Sequence, residues 1–341
     1  MANMAPTAAA ADPGHPRGRW GLLSVFFTII LYGSLGAIAW GRQSGWTADV
    51  AVPPAVNALI ESAWGTMLRM APILQVAVVA QVLMPAVRRR PKLLSYEMCL
   101  DVAYALQISF MYLSFLGVIV GSIVWFLQAR TGVLFPSISD WPHYVQVGMA
   151  LWLVDFLVYW RHRLSHHIKV LWPIHAVHHS SERIDVLTTT RLHLLEVMAG
   201  GVITIYARRY FGMTAEAAAS GFAIYLYWNY YIHTNVRIRH PSVLKYLLVS
   251  PFAHRWHHSN EESARDKNFG VVFAWNDWIF GTAYYPDRES NGYGVDSSNG
   301  IPLEESWWQH QLYPFRVWAR AWSERHGSRS LSAANKALTS D

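Results

Sequence analysis

Long apolar segments separated by short basic loops fill the first half of the chain. Runs with little or no charge occupy residues 20–40, 67–87, 102–127 and 143–160. A helix needs about 20 apolar residues to cross the hydrocarbon core of a bilayer. The pattern therefore predicts four transmembrane helices, and the first two and the last two are close enough to form hairpins.

The basic residues lie on one side of these predicted spans. Arginine clusters precede the first span and follow the second and the fourth. The alternate loops, 41–63 and 128–142, contain one arginine each. Because cytoplasmic loops are enriched in lysine and arginine, we expect the N-terminus and the region after residue 160 to be cytoplasmic.

The second half of the chain is less regular. Two weaker apolar segments, 192–206 and 214–231, are separated by Arg208 and Arg209. If both segments crossed the bilayer, this basic pair would lie on the wrong side, so a shallow re-entrant hairpin is the alternative. The pattern does not decide between two membrane spans and a re-entrant hairpin.

The two ends of the chain have a different character. Residues 303–325 contain four tryptophans and predict an amphipathic helix at the membrane interface. Residues 1–16 and 326–341 are expected to be tails. The sequence therefore divides into the tail 1–16, transmembrane spans within 17–140, a histidine-rich region at 141–285, and a cytosolic or interfacial segment at 286–341.

Composition supports a membrane protein and excludes several other classes. Hydrophobic residues make up 52% of the 341 residues and charged residues 15%. The net charge of +6 does not indicate a nucleic-acid partner, because the basic residues gather at the ends of apolar segments. The single cysteine, Cys99, excludes an intramolecular disulfide and a cysteine-ligated cluster.

Histidines are concentrated in one region of the chain. Twelve of the sixteen lie between residues 162 and 258, and nine of these twelve are in the motifs HRLSH, HAVHH and HRWHH and at His233 in NYYIH. On a helix, residues three and four apart share a face, with Cβ atoms about 5–6 Å apart. Three imidazoles so placed can bind one metal ion or bridge two, and these motifs supply too many for one tetrahedral ion.

Neither chance nor a pH-sensing role accounts well for the histidines. Chance can produce one HxxHH motif but not two beside an HxxxH. A pH sensor needs few histidines, and a packed cluster without metal would repel itself when protonated. The sequence therefore predicts two metal ions bound mainly by imidazole.

Several residues near the motifs are further candidates. Asn229, four residues before His233, and His193 in RLHLLE are possible ligands. His167 points away from the face that His162 and His166 share. Metal-bound histidines usually hydrogen-bond through their second nitrogen to a carboxylate or carbonyl. The acids Asp155, Glu196 and Asp266 are candidates for accepting these hydrogen bonds, and Arg191 is a further candidate for supporting the ligands.

The motifs favour oxidative chemistry over two other uses of metal. HExxH is absent, which excludes a zincin protease, and no nucleotide-binding fingerprint is present. Histidine-bound redox metals beside a bilayer suit O2 activation and attack on a lipid C–H bond. The rival class is a metal transporter or metal store, but a transporter needs ligands within its spans, and these lie beyond the span ends.

The combined motifs resemble a known family. The set HxxxH, HxxHH, a third element and HxxHH, with the flanks DFLVYWRHRLSH, HTNV and HRWHHSNEESARDKNFGVVFAWNDWIFGT, is similar to the membrane di-iron fatty acid hydroxylase and sterol desaturase superfamily. The similarity covers about 140–285. One departure is RLHLLE, because in the family a proline usually follows this histidine.

The resemblance implies an all-α transmembrane bundle with a cytosolic di-iron region. Two irons, replaceable by zinc on overexpression, would activate O2 with two electrons from a separate donor such as a ferredoxin, a cytochrome b5-like protein or a reductase. The lipid product would be hydroxylated or, alternatively, desaturated; we favour hydroxylation, and the sequence identifies neither the lipid nor the oligomeric state. The implied iron ligands are His162, His166, His175, His178, His179, His233, His254, His257 and His258.

Overall fold

The computed structural model describes residues 96–111, 137–295 and 306–338, with short stretches between 80 and 86 and between 119 and 130. Within this part of the chain the regular structure is helical, and the only β-type pairings are isolated bridges. The prediction of an α-helical protein is confirmed. The α-helices are α1 Tyr96–Met111, α2 His143–His167, α3 Trp172–His179, α4 Leu194–Tyr210, α5 Ala215–Ile232, α6 Leu244–Leu247, α7 Pro251–His257, α8 Trp275–Ile279 and α9 Trp307–Leu338.

Helices α2 and α5 form the centre of the described structure. Ala150, Val154, Val158 and His162 recur every four residues along α2 and form one buried stripe. This stripe packs against α5. Gly221 of α5 permits the close approach, because a Cβ there would lie 2.8 Å from the Ala150 Cβ. The apolar stripe of α2 thus continues directly into histidines.

Two short helices with a proline in the first turn bring further histidines to the same end of α2. Pro173 lies in the first turn of α3 and Pro251 in the first turn of α7. Proline suits this position because the first backbone N–H groups of a helix have no partner within the helix. Ser250 also caps α7, accepting a 3.2 Å hydrogen bond from the Ala253 N–H.

Helices α1 and α9 pack behind α3. Leu100 and Tyr104 of α1 form a small core with Val177 of α3. Asp101 of α1 pairs with Arg191 through a 2.6 Å hydrogen bond from Nε to Oδ1, and both side chains are buried. These contacts fix the position of α3, and with it three histidines.

The membrane topology stays a prediction. In the described ranges, no helix has both the length and the apolar character expected of a membrane span. The tail 1–16 and span 20–40 lie outside the described residues, as do most of span 67–87 and part of span 102–127, chiefly residues 112–118. The segment predicted at 143–160 is the first part of α2, which continues through HRLSH.

The C-terminal helix is longer than expected. We expected a helix at 303–325 followed by a tail, but α9 runs to Leu338. The correction has a local cause, because the stretch SLSAANKAL contains alanine, leucine and lysine, which favour helix. The weak segments 192–206 and 214–231 correspond to α4 and α5, joined by a turn in which Gly212 has φ of 57°.

Candidate metal centre

Nine buried or nearly buried histidines meet at the C-terminal end of α2 in two groups. Within each group the candidate ligand nitrogens all lie within 4.8 Å of one another. The structure thus brings together all nine of the ligands that the resemblance implied. The five-histidine group contains His162, His166, His175, His179 and His257, and the four-histidine group contains His178, His233, His254 and His258.

Each HxxHH motif contributes to both groups. HAVHH gives its first and last histidines to the five-histidine group and the middle one, His178, to the four-histidine group. HRWHH does the reverse, with His257 alone in the five-histidine group. On a helix turning about 100° per residue, positions i and i+4 are about 40° apart, whereas i+3 and i+4 are about 100° apart. The repeat therefore lets each short helix face two sites.

The four-histidine group has the spacing of a metal site. Nε2 of His233 lies 2.9 Å from Nε2 of His254 and 3.2 Å from Nε2 of His178. Nitrogens bound to one ion at about 2.0–2.1 Å are at most about 4.2 Å apart. The observed separations fall within that limit, so these imidazoles fit a shared ion.

The five-histidine group shows the same fit through buried nitrogens that lack partners. Nε2 of His162, His166 and His257 is buried and has no hydrogen-bond partner in the described part of the chain. A buried polar atom without a partner is costly, and native proteins satisfy nearly all of them. A metal ion bound by these nitrogens would remove that cost.

The site keeps its histidines neutral, as metal binding requires. Burial, and secondly the neighbouring imidazoles, lower the pKa of His162 and His178 well below the ordinary value. Burial lowers the pKa of His166 and of His233 to about 4. The pKa is likewise lowered, first by burial, for His179, His254, His257 and His258.

Two carboxylates contact the five-histidine group from outside. Oε1 of Glu196 lies 2.8 Å from Nδ1 of His175 and also accepts a 2.8 Å hydrogen bond from Arg161. Asp266 Oδ1 lies 3.4 Å from Nδ1 of His166. With Nδ1 engaged, Nε2 of each ring is left for a metal. Both acids, which the sequence singled out, therefore contact candidate ligands.

Backbone carbonyls of one loop orient two further candidate ligands. His162 Nδ1 lies 2.9 Å from the carbonyl oxygen of Phe269, and His257 Nδ1 lies 2.8 Å from that of Lys267. Together with Asp266, residues 266–269 therefore contact three of the five histidines. We call this stretch the ligand-orienting loop.

Residues that sequence reasoning missed hold the ligand-orienting loop. Asn268 has a positive φ of 55° and bonds through its side chain to Ala253 and to Tyr284. Asp277 accepts hydrogen bonds from the backbone N–H groups of Phe269 and Gly270, at 2.8 and 2.9 Å. The only sequence signal is Asn before Phe-Gly, since asparagine tolerates the left-handed region.

Asp155 and Arg191 differ from Glu196 and Asp266. Within the described part of the chain, neither side chain forms a hydrogen bond with a histidine side chain. Asp155, fully buried, accepts hydrogen bonds from the N–H groups of Val272 and Phe273 at 2.7 and 3.2 Å, and from Asn276. Arg191 pairs with Asp101. Asp155 therefore fixes the segment after the ligand-orienting loop.

His193 and Asn229 lie outside the two groups in different ways. The ring of His193 has both nitrogens engaged, Nε2 with the Gln311 carbonyl oxygen at 2.9 Å and Nδ1 with the Leu195 N–H at 3.0 Å. Asn229 contributes its backbone carbonyl, 2.7 Å from Nδ1 of His233. In this structure His193 connects α4 to α9, and Asn229 orients a candidate ligand.

A cavity of about 350 Å³ leads to the five-histidine group. His166, His179 and His257 are among its lining residues, together with polar residues that include Asn260 and Glu261. The five-histidine group therefore borders this cavity.

Comparison with known proteins places the histidine region in a family. The family model for fatty acid hydroxylase matches residues 147–282. The chain is 30% identical to alkylglycerol monooxygenase of Danio rerio over 52% of this chain and 39% of the relative. It is 31% identical to the human alkylglycerol monooxygenase over 55% and 40%, and 32% identical to an ornithine lipid hydroxylase of Rhizobium tropici over 45% and 46%.

The matches are local but cover the whole candidate centre. The chain spans less than half the length of these curated relatives. No solved structure matches it. The matched residues 147–282 include all nine histidines of the two groups. Residues 147–282 therefore match the fatty acid hydroxylase family, the resemblance that the histidine motifs predicted.

Proposed function

We propose that the chain is an O2-dependent lipid hydroxylase in which each histidine group holds one iron ion. The observation that supports this most strongly is the division of nine histidines into two adjacent groups, each with metal-site spacing. Iron bound there would supply O2 activation and removal of hydrogen from a C–H bond, using electrons from a separate donor. A membrane lipid would be the substrate, consistent with the lipid-acting relatives named above.

The protein's own contribution is to fix and protect the ligands. Glu196 and the carbonyls of Lys267 and Phe269 hold Nδ1 of three rings, which leaves each Nε2 directed to the interior. Burial keeps the imidazoles unprotonated. Loss of a hydrogen bond to the second nitrogen of a metal-bound histidine typically lowers metal affinity about 10–100-fold.

A separate electron donor is part of the proposal. The chain contains one cysteine, so it cannot provide its own four-cysteine iron–sulfur cluster. Two electrons are needed for each hydroxylation, because one oxygen atom of O2 enters the lipid and the other is reduced to water. We propose a ferredoxin, a cytochrome b5-like protein or a reductase as the donor, and an integral membrane location with the centre on the cytoplasmic side.

Mass spectrometry of membrane lipids under heavy-isotope O2 tests the proposal. Cells that express the chain should gain a lipid species with one labelled oxygen atom, and cells that express His178→Ala should not. Loss of two hydrogens without label would instead identify a desaturase. Bound metal with no change in any lipid would contradict the enzyme and support a metal store.

A further inference from the structure

The outer face of α9 is apolar although the inner face already packs against the protein. Trp308, Leu312, Phe315 and Trp322 are 58%, 53%, 49% and 66% exposed. At about 100° per residue they fall within an arc of about 80°. We call these four residues the outer stripe of α9.

The opposite side of the same helix is attached to the rest of the structure. Ser306, His310 and Tyr313 are buried, and His310 Nδ1 lies 2.9 Å from the hydroxyl of Tyr104 in α1. Gln311 bonds to His193 through its backbone carbonyl and to the Leu194 N–H through its side chain, at 2.9 and 3.1 Å. The outer stripe therefore has a fixed direction relative to the metal centre.

Arginines border the outer stripe on both sides. Arg316 and Arg320 project from one edge and Arg325 from the other, and all three are exposed. The apolar surface also continues beyond α9. The Trp318 Nε1–H donates a 3.0 Å hydrogen bond to the carbonyl of Val170, and the apolar side chain of Val170 is itself 54% exposed. An aromatic face bordered by arginine is the arrangement of helices that lie in a membrane interface.

We propose that the outer stripe of α9 inserts into the surface of an anionic lipid bilayer. Aromatic rings would enter at the headgroup level, and the bordering arginines would contact lipid phosphates. A second copy of the chain fits less well, because pairing two such faces would bring arginine edges together, with only Glu324 nearby to offset them. Insertion of the outer stripe does not require the proposed oxygen chemistry.

The consequence is an orientation for the metal centre. Because His193 and Gln311 connect α9 to the start of α4, which contains Glu196, the helix on the bilayer surface would be coupled to a residue that contacts His175. The two histidine groups would then be held at a fixed distance from the bilayer surface.

Spin labels at two neighbouring positions on opposite faces test this directly. In a Cys99→Ala background, labels would be attached to Trp322→Cys and Glu324→Cys of the full chain, reconstituted in vesicles of phosphatidylcholine and phosphatidylglycerol. Glu324 is the matched control, since its side chain is exposed and its ion pair with Arg320 lies on the surface. Helix content and metal loading should match those of the background.

For each label, the accessibility to oxygen is divided by the accessibility to a water-soluble nickel chelate. This ratio should be several-fold higher for the label at 322 than for the label at 324. Equal access of the chelate to both labels would overturn the proposal. So would spin–spin broadening at 322 that disappears on dilution with unlabelled chain, since that would identify a second copy as the partner. Contrast that persists unchanged in pure phosphatidylcholine would overturn the role of the arginines.

Discussion

His175 and Glu196 are joined by a buried 2.8 Å contact between Nδ1 and Oε1. Burial alone would raise the pKa of Glu196, but the contacts with His175 and Arg161 lower this pKa below its usual value. The carboxylate is therefore ionised and can only accept, so His175 donates from Nδ1 and presents Nε2 to the five-histidine group. Glu196, which is not a member of the five-histidine group, thus sets the tautomer of His175, which is.

Replacing Glu196 should weaken metal binding without removing a ligand. In Glu196→Ala, Nδ1 of His175 loses its acceptor, and we expect the metal affinity of the five-histidine group to fall about 10–100-fold. Glu196→Gln retains an acceptor and should have a smaller effect. Competition with a chelator measures both, with the exposed Glu262→Ala as the control. Equal affinities in Glu196→Ala and Glu262→Ala would exclude this role.

His193 and His178 should differ sharply on replacement. His193 bonds through both ring nitrogens outside the two groups, so His193→Ala should retain both metals while weakening the attachment of α9. His178→Ala removes a member of the four-histidine group and should lose metal. Elemental analysis of the two purified variants separates these outcomes, and metal loss in His193→Ala would show that the centre is larger than described.

Asp155 should affect stability more than metal binding. Asp155→Ala would leave two backbone N–H donors and Asn276 without their acceptor. A buried donor left without its acceptor costs about 1–3 kcal/mol, so for the two N–H groups we expect a loss of at least about 2 kcal/mol. Thermal unfolding in detergent measures it, with exposed Asp287→Ala as the control. Normal unfolding with lost metal would instead make Asp155 part of the centre.

The metal-stripped protein should lose stability in mild acid. The pKa of His166 and of His233 is about 4 in the folded protein, against 6.5 for an ordinary histidine. The unfolded chain therefore binds more protons below pH 6.5, and stability falls as the pH drops from about 6.5 towards 4. Unfolding midpoints across this range test the sign. A midpoint that rose as the pH fell would contradict it.

Much of the centre could be predicted from local sequence, because the spacing of histidines on a helix determines which can share a face. The i, i+4 pair of HRLSH and both HxxHH motifs meet as expected. The assignment of individual histidines to two groups could not be predicted, because it depends on how α3 and α7 are placed around α2.

The supporting contacts were predictable only in part. Glu196 and Asp266 were identifiable as acids near the motifs, but Asp155 looked equally suitable and instead binds backbone N–H groups. The carbonyls of Lys267 and Phe269 have no sequence signature, since every residue has one. His193 was ambiguous because its partner, Gln311, lies more than a hundred residues away.

The number of iron ions bound per chain tests the central claim most directly. After loading with ferrous iron, the wild-type chain should bind two, one for each histidine group. His179→Ala, in the five-histidine group, and His258→Ala, in the four-histidine group, should each fall below two and lose lipid hydroxylation. A wild-type chain that binds no iron or only one ion, or variants that both retain two, would contradict a centre built from these two groups.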